Sequence, residues 1–479
     1  ETGNVAYALT ALSNDSTIRS NLVIGSIAST SNSSVQTGGF EACALSASYG
    51  FLVLGDITVG DMPGIITVNK LGNMDGHIHV QSKSEDISKR LSAVGLAAQW
   101  GIITGDFGEG SSLTVESAGA DAFAFFTGKD GGSMAVNTIA TLEIGSVNGN
   151  ISTSAVSGIS GAIYSESSVT MGNLGINGSI TASSSDKAAA YAIYSHGRLT
   201  TGKLDGTVRA TTGGDYSFAI MGLGITTEIG EHAQISATGA EGSDKVYALF
   251  SGCYQQNFAS SGQIIDAASR QLNIYNLADI LTLHAGAQID GIVELGGSGD
   301  GQDAINLLGG TTDSKGVFDY DIRTTINMAE NRGDTVSYVR MAVGADHTPA
   351  HWEITGQRDL VNELNIGVGS SLTSSDLSFL CDGASITNQG TINSTGTIHV
   401  SDGQTFTTGN LILFGSILTP VSTGLSSSIT VTADAGAGLG TTIANTGDTT
   451  WYINAEQIFD GQKALFSQLI NGFNPDDYT

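Results

Sequence analysis

Asp75, His77 and His79 occupy alternate positions of the run Asp75-Gly76-His77-Ile78-His79-Val80. In an extended strand such residues share one face, about 6–7 Å between neighbours. Two imidazoles and a carboxylate then stand together, a ligand set suited to Zn²⁺ or a similar ion. The plainer reading is a row of outward polar residues. His399, at the matching place in Gly396-Thr397-Ile398-His399-Val400, favours that reading. Gly296-Gly297-Ser298-Gly299-Asp300-Gly301-Gln302-Asp303 is similar to the glycine-rich nonapeptide that binds calcium in β-rolls, with the acid displaced by one residue and no tandem copy. Ca²⁺ is the one cofactor this suggests. His347 and His351 flank Pro349 and lack the glutamate and unbroken helix of a zinc protease. Asp313, Asp319, Asp321, Glu330 and Asp334 are the densest acidic group. A glycosidase needs two such carboxylates converging; a charged surface loop needs only solvent. No nucleophile elbow, phosphate loop or dinucleotide pattern occurs, and no residue is assigned a catalytic role.

A further set of residues is defined by repetition. Phe123-Ala124-Phe125-Phe126, Gly161-Ala162-Ile163-Tyr164, Tyr191-Ala192-Ile193-Tyr194, Phe218-Ala219-Ile220-Met221 and Tyr247-Ala248-Leu249-Phe250 share one pattern, with a weaker copy at Gly95-Leu96-Ala97-Ala98. Taking the alanines 97, 124, 162, 192, 219 and 248 as equivalent, all steps but one are of nearly the same length, about 28 residues. Strict alternation puts positions one and three on one face, two and four on the other. Phe126, Tyr164, Tyr194, Met221 and Phe250 then form one ladder. Facing inward it is core; facing outward it is an aromatic row that stacks on sugar rings or on a second subunit.

Each repeat carries two more apolar pieces. Val169-Thr170-Met171 and Leu199-Thr200-Thr201 belong to the second. Gly178-Ser179-Ile180-Thr181-Ala182 and Gly206-Thr207-Val208-Arg209-Ala210 belong to the third, which alternates buried and solvent-facing positions. Three short strands per unit of about 28 residues, joined by Gly and Ser turns, are satisfied when successive coils stack and pair. The expected fold is all-β: a right-handed parallel β-helix of three-strand coils with a capping C-terminal segment. At about 4.8 Å per coil, roughly 17 coils would make a rod of about 80 Å. The 65 glycines supply turns, and only 4 prolines fit strands that lie inside ladders. Expected divisions are 1–262 with the alanine-centred repeats, 263–362 with less regular coils and a charged insertion, 363–450 with a simpler ladder, and 451–479 as a cap or docking tail of helix-like spacing.

Composition narrows the function classes. Lys+Arg is 18 and Asp+Glu is 46, a net charge of −28, which excludes a phosphate-neutralising nucleic-acid binder. No run of about 18 apolar residues is present, so no transmembrane helix is expected. Cys43, Cys253 and Cys381 are far apart and form no CxxC pair. Glu1-Thr2-Gly3, without methionine, reads as a processed end.

The run Ile386-Thr387-Asn388-Gln389-Gly390-Thr391-Ile392-Asn393-Ser394-Thr395-Gly396-Thr397-Ile398-His399-Val400, with Gly291-Ile292-Val293-Glu294-Leu295-Gly296-Gly297, resembles the passenger regions of bacterial autotransporters and secreted β-helix adhesins. The resemblance lies in repeat style over most of the chain and in no diagnostic motif. It implies a long right-handed β-helix at the outer surface or outside the cell, binding rather than catalysing. Partners would be cell-surface glycans or proteins, or copies of itself. Autotransporters end in a membrane barrel, and this sequence reaches Thr479 without such a strand series. The resemblance therefore implies either a removed barrel or a free secreted relative. A self-assembling filament or surface-layer subunit and a polysaccharide-degrading β-helix are the competing expectations.

Overall fold

A computed structural model describes residues 73–82, 91–98, 101–119, 121–127, 141–186, 188–243, 245–251, 278–296, 303–311 and 339–354 as continuous stretches. Elsewhere it describes shorter pieces and single strands, from Val5–Ala11 to Thr449–Ile453. The described residues contain strands and turns and no helix. They fall into two compact units. One is built mainly from residues 1–228, 232–275 and 288–292, the other mainly from 276–287 and 293–479.

In the first unit three parallel sheets run along a parallel β-helix. The first sheet stacks Leu91–Ala98, Asp121–Thr127, Ser160–Ser165, Ala190–Ser195, Ser217–Gly222 and Val246–Ser251. The second stacks Gly101–Ile103, Thr141–Ile144, Ser168–Met171 and Arg198–Leu204. The third stacks Met74–Ser82, Ser112–Ser117, Asn150–Ala155, Ser179–Ser184, Thr207–Thr212, Gln234–Thr238 and Gln288–Asp290. These are the three pieces of the sequence repeat, in order. An inner row of the third sheet, Leu113, Ile151, Ile180, Val208 and Ile235, is fully buried. Phe107, Val147, Leu174 and Leu204 bridge one another in a second buried row at the corner between the second and third sheets. Like stacks over like because each coil offers the next the same cavity.

Two details of the first sheet differ from the sequence expectation. Phe126 pairs with Ala97, and Phe125 with Leu96, so the residue level with Ala124 is Gly95. The first step of the repeat therefore starts at Gly95 and not at Ala97, which brings it closer to the later steps. The reason is steric: a side chain at Gly95 would meet the Ala124 carbonyl oxygen at 2.7 Å and Leu113 at 2.9 Å. The faces also depart from strict alternation. In each pairing the ladder passes over the second position, linking Phe123 to Gly161 and Phe125 to Ile163 but skipping the alanines. Positions one and four consequently meet: the Phe123 and Phe126 rings lie 5.2 Å apart, as do Tyr191 and Tyr194. The third position points the other way, where Phe125 meets Phe107 edge-on at 5.8 Å.

The same ladder pattern extends to earlier strands. Val5–Ala11 and Glu41–Ala47 pair in parallel, Tyr7 with Cys43 and Leu9 with Leu45, again passing over the intervening alanines. Tyr7-Ala8-Leu9 and Cys43-Ala44-Leu45 are thus earlier copies.

The corner after the second sheet is held from coil to coil. Asn73 Oδ1 accepts from the Asp106 N–H at 3.1 Å, Asp106 Oδ1 from the Ser146 N–H at 2.7 Å, and Asn173 Oδ1 from the Lys203 N–H at 2.8 Å. Each side chain satisfies a turn amide of the neighbouring coil.

In the second unit coil length varies: the step from Ile305 to Met341 is longer than the regular spacing, and the steps after Leu372 are shorter. Ile280–His284, Asp303–Leu308, Val339–Val343 and Glu363–Ile366 stack in parallel, and Gly316–Phe318, His351–Ile354 and Ser371–Ser378 form a second stack. Ser385–His399 continues both, and Thr405–Leu413, Ser427–Val431 and Thr449–Ile453 follow. Leu372, Ile392 and Leu411 lie in register, closer together in sequence than Ile151, Ile180 and Val208 of the first unit. A uniform coil length therefore does not describe this end. Trp451–Ile453, expected to begin the cap, belongs to a ladder strand. Residues 454–479 lie outside the described residues.

Candidate binding surface

The outward side of the third sheet is a ruled polar face. Its middle row runs His79, Thr114, Ser152, Thr181, Arg209, Ser236 and Asp290, each in register with the next. A parallel row runs Ser112, Asn150, Ser179, Thr207 and Gln234, and a third runs Glu116, Ser154, Ser183, Thr211 and Thr238. All of these are half-buried or exposed. Rows are spaced about 6.6 Å along the strands and about 4.8 Å between coils. Behind them run the apolar row from Leu113 to Ile235 and, towards the strand ends, buried hydroxyls such as Thr153, Ser184 and Thr212 that bond within the fold. Neighbouring side chains bond along the rows: Ser152 Oγ donates to Thr114 Oγ1 at 3.1 Å and Ser179 Oγ to Asn150 Oδ1 at 2.7 Å. A hydroxyl keeps further donor or acceptor capacity after one such bond. The signal in the sequence was the Ser/Thr content of the third piece, which singled out no site because each coil alone is unremarkable surface.

Asp75, His77 and His79 do lie on one strand, Met74–Ser82, at alternate positions. The side chains of Asp75 and His77 are outside the described residues. His79 is exposed, and its Nε2 lies 3.4 Å from Glu116 Oε2 on the next coil. Among the described residues no group of three His, Cys, Asp or Glu side chains gathers as a metal site would require.

The aromatic ladder is buried. Phe126, Tyr194, Met221 and Phe250 are within a few percent of full burial, and Tyr164 is half-buried. Tyr164 stacks on Phe126 at 5.8 Å and on Tyr194 at 4.4 Å. Beside it runs the position-one row, where Phe218 stacks between Tyr191 at 5.3 Å and Tyr247 at 5.4 Å. Ile159, Ala189 and Tyr216 pack into the same cluster. Gly161 fits here because its neighbours fill the gap, with Phe123 Cδ1 2.7 Å from where a Cβ would stand. These rings are structural, so an outward stacking row for sugars is not available from them.

No family model, curated protein or solved structure matches the chain. The chemistry of the remaining groups thus rests on their geometry. His347 sits in the turn between Val339–Val343 and His351–Ile354, with φ of 64°, and His351 is exposed at the start of the next strand. Neither is on a helix. Asp313, Asp319, Asp321, Glu330 and Asp334, the glycosidase candidates, lie outside the described residues, as do Gly297–Gln302 of the calcium-like run and Cys381. Cys43 and Cys253 are placed on separate strands.

His196, at the turn after the first sheet, shares a hydrogen bond of 3.2 Å between its Nδ1 and the Tyr194 hydroxyl. Burial holds its pKa below the usual 6.5. The unfolded chain then binds this proton more readily than the folded one, so His196 contributes full stability above pH 6.5 and loses it as pH falls below that value. Thermal melts from about pH 8 to about pH 5 should show the wild type faring worse towards the acid end than His196→Gln. An identical pH profile for the two would count against a neutral imidazole at this turn.

Proposed function

We propose that the chain is a non-enzymatic, adhesin-like protein of the cell exterior, and that the outward face of the third sheet binds extended glycans. The observation that carries this reading is the register of that face: Thr114, Ser152 and Thr181 repeat one hydroxyl position coil after coil. A polymer with repeating hydroxyl groups meets the same donors and acceptors at each step. The ladder bonds that fix the backbone mean that little ordering remains to oppose binding. Ser and Thr are short, so few rotamers are lost on contact. The net charge of −28 keeps such a surface soluble and disfavours anionic partners. The style of residues 386–400, similar to autotransporter passengers, supports the extracellular setting.

A purified, monodisperse sample applied to a glycan array tests the reading. Retention of one class of neutral glycan is expected. Light scattering that grows with concentration, without glycan retention, would favour a self-assembling subunit. Release of shortened polysaccharide would favour an enzyme.

A further inference from the structure

Two aspartates stand level in consecutive coils of the second unit. Asp279 precedes strand Ile280–His284 and Asp303 opens strand Asp303–Leu308, with Ile280 in register with Ala304. Both are fully buried. The Asp279 N–H donates to Asp303 Oδ1 at 2.9 Å, and the Ala304 N–H donates to the Asp279 carbonyl at 2.8 Å. Asp303 Oδ2 is buried and accepts no hydrogen bond. The residue level with Asp303 in the following coil is Val339, which brings no charge. The acid stacked on it from the preceding coil is Asp279. An ionised carboxylate here would be dehydrated and half-satisfied, held by one backbone amide alone.

We propose that the Asp279–Asp303 step is a proton-binding site: a proton on Asp303 stabilises this coil, and its release loosens it. A cation is a poorer occupant. Calcium takes about six to eight oxygens, and the described geometry leaves one carboxylate oxygen open. Burial pushes the Asp303 carboxyl up from 3.8 to about 7, against the smaller downward pull of the Asp279 amide. The sign follows. Between pH 3.8 and about 7 the folded chain holds a proton that the unfolded chain has lost. This stability is complete below pH 3.8 and declines as pH rises through about 7. Each pH unit in that window shifts the folded-to-unfolded ratio by up to about tenfold.

The test is a pair of measurements on the full chain. Denaturant unfolding at about pH 5.5 and about pH 8.5 should show the wild type favouring the lower pH relative to Asp303→Asn, a margin between the two proteins that the substitution of Asp303 alone creates. Infrared difference spectra of the wild type should show a protonated carboxyl band at the lower pH that is lost at the higher. The same pH dependence in a folded Asp303→Asn variant would overturn the proposal. If that variant does not fold, a wild-type spectrum without a protonated carboxyl at the lower pH would overturn it, and a band titrating near about pH 7 would support it.

Discussion

Phe218→Ala should remove about 3–5 kcal/mol of stability, the usual cost of emptying a buried aromatic site. Phe218 is fully buried, stacked face to face between Tyr191 and Tyr247, and meets Phe250 edge-on at 5.6 Å. The cavity would open in a layer whose members are fixed from above and below by neighbouring coils, so the rings cannot collapse freely into it. Because coils support only their neighbours, the damage should be local first: hydrogen exchange should quicken in Ala190–Ser195 and Val246–Ser251 before it does in Ser112–Ser117. Chemical denaturation of the variant measures the total. A loss under about 1 kcal/mol would mean that the aromatic layer is surface, not core.

Gly206→Ala should be worse than its size suggests. The added Cβ would stand 2.3 Å from the Gly178 carbonyl oxygen and 2.5 Å from that of Gly175. Both obstacles are backbone of the neighbouring coil, and neither is the tip of a flexible side chain that can swing aside. The coils must separate, breaking the bond from the Thr207 N–H to the Gly178 carbonyl, which is 3.0 Å long. Gly110→Ala is the control. Gly110 has φ of 79° and open space around its Cβ position, so only the left-handed backbone cost of about 1–2 kcal/mol applies. Gly206→Ala is expected to fold poorly or to melt well below Gly110→Ala. The opposite order would contradict close coil stacking at this corner.

The β-helix was legible because its repeat is written in side chains that must match: the third-sheet series Ile151, Ile180, Val208 and Ile235 recurs at nearly constant spacing, one aliphatic residue per coil. The alignment of Gly95 was not legible. Ala97 copies the pattern by residue type, while the level that matters is set by which Cβ fits under the Ala124 carbonyl. The pairing of positions one and four was hidden for a related reason, since a ladder that passes over the alanine leaves no mark in a period-two pattern. The early copies at Tyr7-Ala8-Leu9 and Cys43-Ala44-Leu45 were missed because the steps from Ala8 to Ala44 and from Ala44 to Gly95 are longer than the regular spacing. The shortened coils of the second unit escaped notice because Ile386–Val400 is so uniform in residue type that it reads as a ladder at many different periods.

The site was less legible than the fold. Histidines and clustered acids draw the eye because their chemistry is specific, yet among the described residues none of them gather into a metal centre. Hydroxyl rows become a surface only after stacking, when residues a whole coil apart in sequence come within about 5 Å. Asp279 and Asp303 likewise look like ordinary loop acids until the register sets one over the other.

The most direct test of the account is glycan binding by face-specific variants. Ser152→Glu combined with Thr181→Glu alters two half-buried outward positions of the third sheet without touching its core. Thr170→Glu combined with Thr200→Glu makes the same chemical change on the second sheet, where those residues are in register. The third-sheet pair is expected to weaken binding to the retained glycan by about tenfold or more, and the second-sheet pair to leave it within about twofold. Equal affinities for the two variants would contradict glycan binding by the third-sheet face.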